Sequence, residues 1–95
     1  MITVKIEEIE YILRCDLNVI EYLYEKYGDT EKFFEAGISA VKDIAAQMIN
    51  EHFLYIGSED RVTPEFISMR INGAEYVSLR NSVIEAINAS MTIKN

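Results

Sequence analysis

The chain has few of the residues on which catalysis, metal binding and disulfide formation depend. Its 95 residues include one cysteine, one histidine, one proline, four glycines and no tryptophan. A single cysteine cannot form a disulfide within the chain, which favours a reducing compartment. One histidine with one cysteine makes a zinc site implausible, and the acidic residues do not follow the calcium-loop pattern. The glycines are too far apart to form a phosphate-binding loop, and there is no Gly-x-Ser-x-Gly motif. We therefore expect no enzymatic activity and no cofactor.

Long apolar segments are also missing. The longest run, Phe53–Ile56, is far shorter than the roughly 20 residues of a membrane-spanning helix. The first residues do not show the basic and then apolar pattern of a secretory signal. The apolar fraction of 49% and the charged fraction of 26% are typical of a soluble domain. These features predict one cytoplasmic domain over residues 1–95, with no membrane contact.

Positive charge is scarce and scattered. Nine lysines and arginines stand against sixteen aspartates and glutamates, a net charge of −7, and no two basic residues are adjacent. Nucleic-acid-binding proteins show the opposite pattern, a basic patch or stripe. The charge therefore argues against binding to nucleic acid or to anionic membranes, and it favours solubility and a basic protein partner.

The first fifteen residues alternate between apolar and polar side chains. Val4 and Ile6 alternate with Thr3 and Lys5, and a second alternating run follows from residue 9. This period predicts two short strands that turn near Glu7-Glu8. The turn has no glycine or asparagine, so a helix remains the alternative for residues 2–15.

The rest of the chain shows helical spacing. Thr63 has a side chain that can cap a helix, and Pro64 after it suits the first helical position, so a helix is predicted to start there. Asn72-Gly73 is expected to end that short helix. The long segment from Ser39 to about Ile56 carries a wide apolar stripe, with a polar side that includes Asp43. The predicted helices cover residues 18–27, 31–36, 39–56, 64–71 and 74–89. The fold class expected is mainly α, a compact bundle of about four helices with a short N-terminal β-hairpin or strand element.

The start of the first helix has two candidate caps. Asn18 and Glu21 have the spacing of a capping box, and Leu17 with Tyr22 would be its hydrophobic staple. Asp16 is the alternative cap.

Two residues with reactive side chains have ordinary interpretations. Cys15 is expected to be a small buried apolar residue, with a nucleophilic thiol as the alternative. His52 lies in the apolar stripe of the long helix, where a hydrogen-bonded, partly buried histidine is the usual explanation and a functional one the alternative.

The order of these segments resembles a known family. The stretch Glu10–Val19 leads into a helix ending Lys26-Tyr27-Gly28, Val62–Phe66 follows an acidic loop, and Val83–Ser90 closes the last helix. The arrangement is similar to the small tail assembly chaperones of long-tailed bacteriophages and prophages. The chain differs from many of them in having Cys15 where an aromatic residue is common, and in lacking a Trp-Ala-Gly-Leu-type segment.

The resemblance implies a partner rather than a reaction. Such proteins coat the helical, aggregation-prone tape measure protein before the tail tube polymerises, and they are absent from the mature virion. It therefore implies the tape measure protein as partner in the host cytoplasm, with the tail tube protein as a further candidate. A longer frameshifted form and a homo-oligomer are left open. Binding a helix requires exposed apolar anchors, for which the candidates are Tyr24, Phe34, Leu54, Tyr55 and Met69.

An acidic regulatory or inhibitory protein is the alternative function. Such a protein would occupy the basic surface of a nucleic-acid enzyme or repressor, and the net charge of −7 is the feature that supports it.

Overall fold

The chain begins with an antiparallel hairpin. The computed structural model describes residues 1–93, and in it strand β1 (Thr3–Ile6) pairs with strand β2 (Ile9–Ile12). Val4 and Ile6 are buried whereas Lys5 between them is exposed. The strand prediction is confirmed, and the helical alternative is wrong. The period of two decided the outcome because it places the apolar side chains of β1 on a single face of the sheet.

The turn of this hairpin has unusual backbone conformations for its residues. Glu7 and Glu8 have φ values of 49° and 70°, which lie in the left-handed region. A two-residue type I′ turn requires positive φ at both central positions, where asparagine and glycine are preferred. The carboxylate of Glu7 lies 3.0 Å from Nε of Arg70, so an ion pair ties the turn to the helical part of the chain.

Replacing Glu8 by glycine is expected to stabilise the protein. Glycine has no Cβ to clash at positive φ, and we expect the free energy of unfolding to rise by about 1 kcal/mol. Urea denaturation measures the change. The matched control is Glu10→Gly in β2, where φ is not positive; it should lower the stability by about 0.5–1 kcal/mol. A loss of stability in Glu8→Gly would show that the turn is not strained.

Five helices follow the hairpin. They are α1 (Leu17–Tyr27), α2 (Thr30–Glu35), α3 (Ile38–Tyr55), α4 (Pro64–Ser68) and α5 (Gly73–Ser90). The predicted class, a mainly helical bundle with a short N-terminal hairpin, is confirmed. Two of the five helices are minor, because α2 has six residues and α4 has five.

The start of α1 differs from the capping box that its sequence favours. Asp16 is the N-cap, and one of its carboxylate oxygens accepts a hydrogen bond from the backbone N–H of Val19. The Asn18 capping box is therefore wrong, and so is the staple, because Leu17 is exposed. Asn18 instead donates to the carboxylate of Glu51 in α3, at 2.8 Å. Asn18, which local spacing assigned to the cap, therefore makes a tertiary contact instead.

The two later helix starts rest on local caps. The hydroxyl of Thr63 accepts a hydrogen bond from the N–H of Phe66 at 3.1 Å, with Pro64 in the first turn, as predicted. The prediction that Asn72-Gly73 ends this helix is wrong, because α4 ends at Ser68 and Asn72 is the N-cap of α5. Its side chain caps α5, and Glu75 bonds back to the N–H of Asn72, both at 3.0 Å. The capping box of this chain is therefore at Asn72.

Helix α3 is the centre of the packing. It contacts α1, α2, α4, α5 and β2, while β1 packs on α5. Tyr11 of β2 makes edge-to-face contacts with Phe53 of α3 and Phe66 of α4, with ring centroids 6.3 Å apart in each pair. The hairpin therefore covers α3 and α5, and an aromatic cluster joins it to α4.

The loop between α3 and α4 is held by one side chain. The amide of Asn50 donates to the carbonyl of Val62 and accepts from its N–H, both at 2.8 Å. This pair of bonds satisfies both backbone groups of Val62, which is buried. The acidic loop is thereby fixed against the side of α3 that the sequence marked as polar.

Candidate protein-binding surface

Exposed apolar side chains gather where α1 begins and α3 ends. Leu17 is 80% exposed, Leu54 58%, Tyr55 69% and Ile56 57%. We call these four residues the α1–α3 patch. Leu17 is the first residue of α1, and the other three form the last turn of α3 and its C-cap. Tyr55 has the helical spacing of the apolar stripe of α3. The last turn of α3 extends beyond the core, however, so its side chain is exposed.

Polar contacts bring the two parts of the patch together. Asn18, next to Leu17, donates to Glu51, which lies one helical turn before Leu54 and Tyr55. The guanidinium of Arg14 lies 3.6 Å from the centre of the Tyr55 ring. Nε of Arg14 is also 3.2 Å from the carboxylate of Asp16, the cap of α1. These contacts orient the Tyr55 ring and leave most of it exposed.

The structure brings together some of the predicted anchors. Leu54 and Tyr55 lie in the α1–α3 patch. Tyr24, 41% exposed, is seven residues beyond Leu17 and therefore on the same face of α1. Leu17 and Tyr24 share this face of α1, whereas Asn18 and Tyr22 lie on the face that contacts α3.

The other two predicted anchors lie elsewhere. Met69 is 82% exposed but follows Ser68, whose hydroxyl accepts a hydrogen bond from Lys42 near the start of α3. Lys42 is about 18 Å from Leu54 along the helix axis. Phe34 is half-buried, with its ring centroid 5.6 Å from that of Phe33. Met69 and Phe34 are thus separate from the α1–α3 patch.

Sequence reasoning did not select Leu17 and Ile56 for this surface. Leu17 was assigned to a staple because Asn18 was the favoured cap. With Asp16 as the cap, Leu17 becomes the first helical residue and projects from the start of α1. Asp16, the alternative cap, was the signal in the sequence that could have shown Leu17 to be exposed.

A buried polar network joins α1 to α3 near the start of α3, away from the patch. Asp43, which the sequence placed on the polar side of α3, is only 8% exposed. Its carboxylate accepts hydrogen bonds from the hydroxyls of Tyr22 at 3.0 Å and Tyr27 at 2.7 Å. Nζ of Lys26 lies 2.9 Å from the same carboxylate. Three donors from α1 therefore compensate the buried charge.

The network raises the pKa values of Tyr27 and Lys26. Burial, followed by the hydrogen bond to Asp43, raises the pKa of Tyr27 to about 12. The hydrogen bonds to Asp43 and Tyr22 raise the pKa of Lys26 above its ordinary value. Both shifts mean that the donors stay protonated at neutral pH. The network therefore holds α1 against α3.

Comparisons of the chain with protein-family models, with curated proteins and with solved structures each found no match. No relative therefore assigns a partner to the α1–α3 patch. The case for its function rests on the exposed side chains, on the charge, and on the order of segments described above.

The residues with reactive side chains do not form a site in the part of the chain described. Burial raises the pKa of the Cys15 thiol, which packs against the core, and His52 is half-buried in α3. Within residues 1–93 no three His, Cys, Asp or Glu side chains are grouped to hold a metal ion. In the same described range, no helix combines the length and apolar character needed to span a bilayer.

Proposed function

We propose that this protein is a phage tail assembly chaperone-like protein. It binds the helical tape measure protein in the host cytoplasm and keeps it soluble until the tail tube assembles, and it does not enter the mature virion. The observation that carries the proposal is the α1–α3 patch, which exposes Leu17, Leu54, Tyr55 and Ile56 where α1 begins and α3 ends. Contiguous exposed apolar side chains mark sites of protein interaction.

The shape of the patch suits a helix as its ligand. An amphipathic helix buries its apolar side chains at intervals of three, four and seven residues in an apolar groove. Leu54 and Tyr55 at the end of α3 and Leu17 at the start of α1 offer exposed apolar side chains for such a contact. The net charge of −7 supplies a repulsive exterior that keeps the loaded complex dispersed.

Co-expression tests the proposal directly. The protein would be produced together with the tape measure protein of the same locus, and the soluble fraction would be analysed by affinity purification. We expect the tape measure protein to move from the pellet to the soluble fraction and to co-purify. An unchanged pellet without a complex would exclude the proposed function.

Substitution of Leu54 by aspartate is expected to abolish co-purification, because it places a charge in the centre of the patch. Leu54 is 58% exposed, so the fold should be retained and helical circular dichroism should not change. The matched control is Val77→Asp on α5, a site of 54% exposure outside the patch. It should leave binding intact. Equal binding by both variants would remove the α1–α3 patch from the mechanism.

The alternative is an acidic protein that occupies the basic surface of a nucleic-acid enzyme or repressor. The charge of −7 favours this function. Ionic strength separates the two, because charge-driven binding weakens as the Debye length falls to about 3 Å at 1 M salt. Binding through apolar anchors should persist in 0.5–1 M salt, about the range where a charge-driven complex dissociates.

A further inference from the structure

Strand β1 has one edge without hydrogen-bond partners. The N–H of Leu13 donates to the carbonyl of Ile2, and in an antiparallel ladder bonded and non-bonded pairs alternate. Val4 and Ile6 therefore bond to β2, whereas the N–H and C=O groups of Thr3 and Lys5 point away from it. Among the residues that the structure describes, these four groups have no hydrogen-bond partner.

A cavity runs along this free edge. Its volume is about 350 Å³, within the range of roughly 300–1,000 Å³ that is usual for ligand sites. On one side it is lined by β1 and the following turn, and on the other by Ile71 and the first turns of α5, including Ser78 and Leu79. No residue of β2 lines it within the described chain, so the cavity lies on the outer side of β1.

We infer that this groove binds an extended strand of a partner polypeptide, which adds to β1 as a third strand. The unpaired groups of Thr3 and Lys5 select an extended backbone, because they repeat at every second residue. The apolar floor formed by Val4, Ile6 and Leu79 receives one apolar side chain of that strand. This site is distinct from the α1–α3 patch, which suits a helix.

The charge at one end of the groove favours a basic residue in the bound strand. Glu8, in the turn after β1, and Glu75, in the first turn of α5, both line the cavity; one carboxylate oxygen of Glu75 accepts from the N–H of Asn72, and the other is available to a cation. Glu7 beside them is already paired with Arg70. A lysine or arginine next to the apolar residue of the strand would place its cation between Glu8 and Glu75 and its stem on the apolar floor.

A lone strand fits better than a second copy of the chain. The free edge is recessed, because the first turns of α5 form the opposite wall of the groove. A second copy would have to bring its own α5 alongside its β1, because the same two elements line the groove in every copy. A flexible segment of another protein meets no such obstacle.

The test uses the full-length ¹⁵N-labelled protein and the synthetic peptide acetyl-Thr-Val-Arg-Val-Thr-amide as the probe. We expect the amide signals of Thr3 and Lys5 to move on titration and their hydrogen exchange to slow. The amides of Val4 and Ile6, which point to β2, should change much less. The same peptide with N-methylated valines should not bind, because it cannot complete the ladder.

Proline substitutions supply a matched pair of variants. Lys5→Pro removes one outward N–H from the β1 edge, and Glu10→Pro removes the equivalent group from the outer edge of β2. Both are edge positions where proline spares the hairpin bonds. We expect Lys5→Pro to weaken peptide binding about fivefold, equivalent to about 1 kcal/mol, and Glu10→Pro to leave it unchanged.

The outcomes separate clearly. Absence of shifts at millimolar peptide, or shifts at Glu10 and Ile12 instead of Thr3 and Lys5, would overturn the inference. If a thermal melt shows that Lys5→Pro does not fold, the N-methylated peptide decides the question on the unaltered protein. The test needs no tape measure protein, so its result is independent of the proposed function.

Discussion

Replacing Asp43 by alanine is expected to lower the free energy of unfolding by about 2–4 kcal/mol. The substitution leaves the hydroxyls of Tyr22 and Tyr27, at 3.0 and 2.7 Å from the carboxylate, without their acceptor. These bonds are part of the contact between α1 and α3, so we expect α1 to loosen first. Urea denaturation followed by circular dichroism measures the loss.

The control removes the same charge from an exposed site. Asp60→Ala lies in the loop between α3 and α4, where the carboxylate is exposed, and it should change stability by less than about 0.5 kcal/mol. If the two variants were equally stable, the network around Asp43 would contribute nothing.

The pH dependence checks the mechanism of the same network. The pKa of Tyr27 is raised to about 12, above its ordinary value of 10. The folded protein therefore holds this proton more tightly than the unfolded chain. The stability from this bond is complete below pH 10 and is lost as the pH rises through 12. The raised pKa of Lys26 acts in the same direction. Stability should fall between pH 10 and 12, and less steeply in Tyr27→Phe.

Replacing Phe33 by alanine is expected to cost about 3–5 kcal/mol, the usual range for a buried phenylalanine. Phe33 is fully buried and lies edge-on to Tyr27, with ring centroids 5.6 Å apart. The cavity left behind would separate α2 from the core. Thermal and urea unfolding measure the effect.

The neighbouring residue is the control for this variant. Phe34 is half-buried and lies at the edge of the core, so Phe34→Ala should cost only about 1 kcal/mol. The two phenylalanines are adjacent in α2 and therefore project in different directions, so one is core and the other partly exposed. Equal losses in the two variants would contradict this division.

Local chemistry explains why much of the fold could be predicted. A period of two identified the strands, and helical spacing with Gly28, Gly37, Gly57 and Pro64 at the boundaries identified the helices. Each of these signals acts within a few residues. A glycine at positive φ or a proline in the first turn has the same effect in any tertiary context.

Two asparagines show where local chemistry is insufficient. Asn18 and Asn72 are each followed by a glutamate at the third position, and only Asn72 forms the capping box. Asn18 donates a hydrogen bond to Glu51 of α3, and Asp16 caps α1 in its place. The spacing of the residues is the same in both cases, so the choice depended on which side chain had a tertiary partner.

The candidate surface depended on tertiary structure to a greater extent. The sequence alone determined a mainly helical domain with a hairpin, an acidic surface and a set of apolar side chains beyond the helical stripes. It could not show that Asp43 is buried, that Leu17 is exposed where α1 begins beside the end of α3, or that the outer edge of β1 faces a cavity. Those facts depend on where α1, α3 and α5 stop relative to the core. Helix ends follow local signals, but exposure is set by the packing of segments that are distant in the chain.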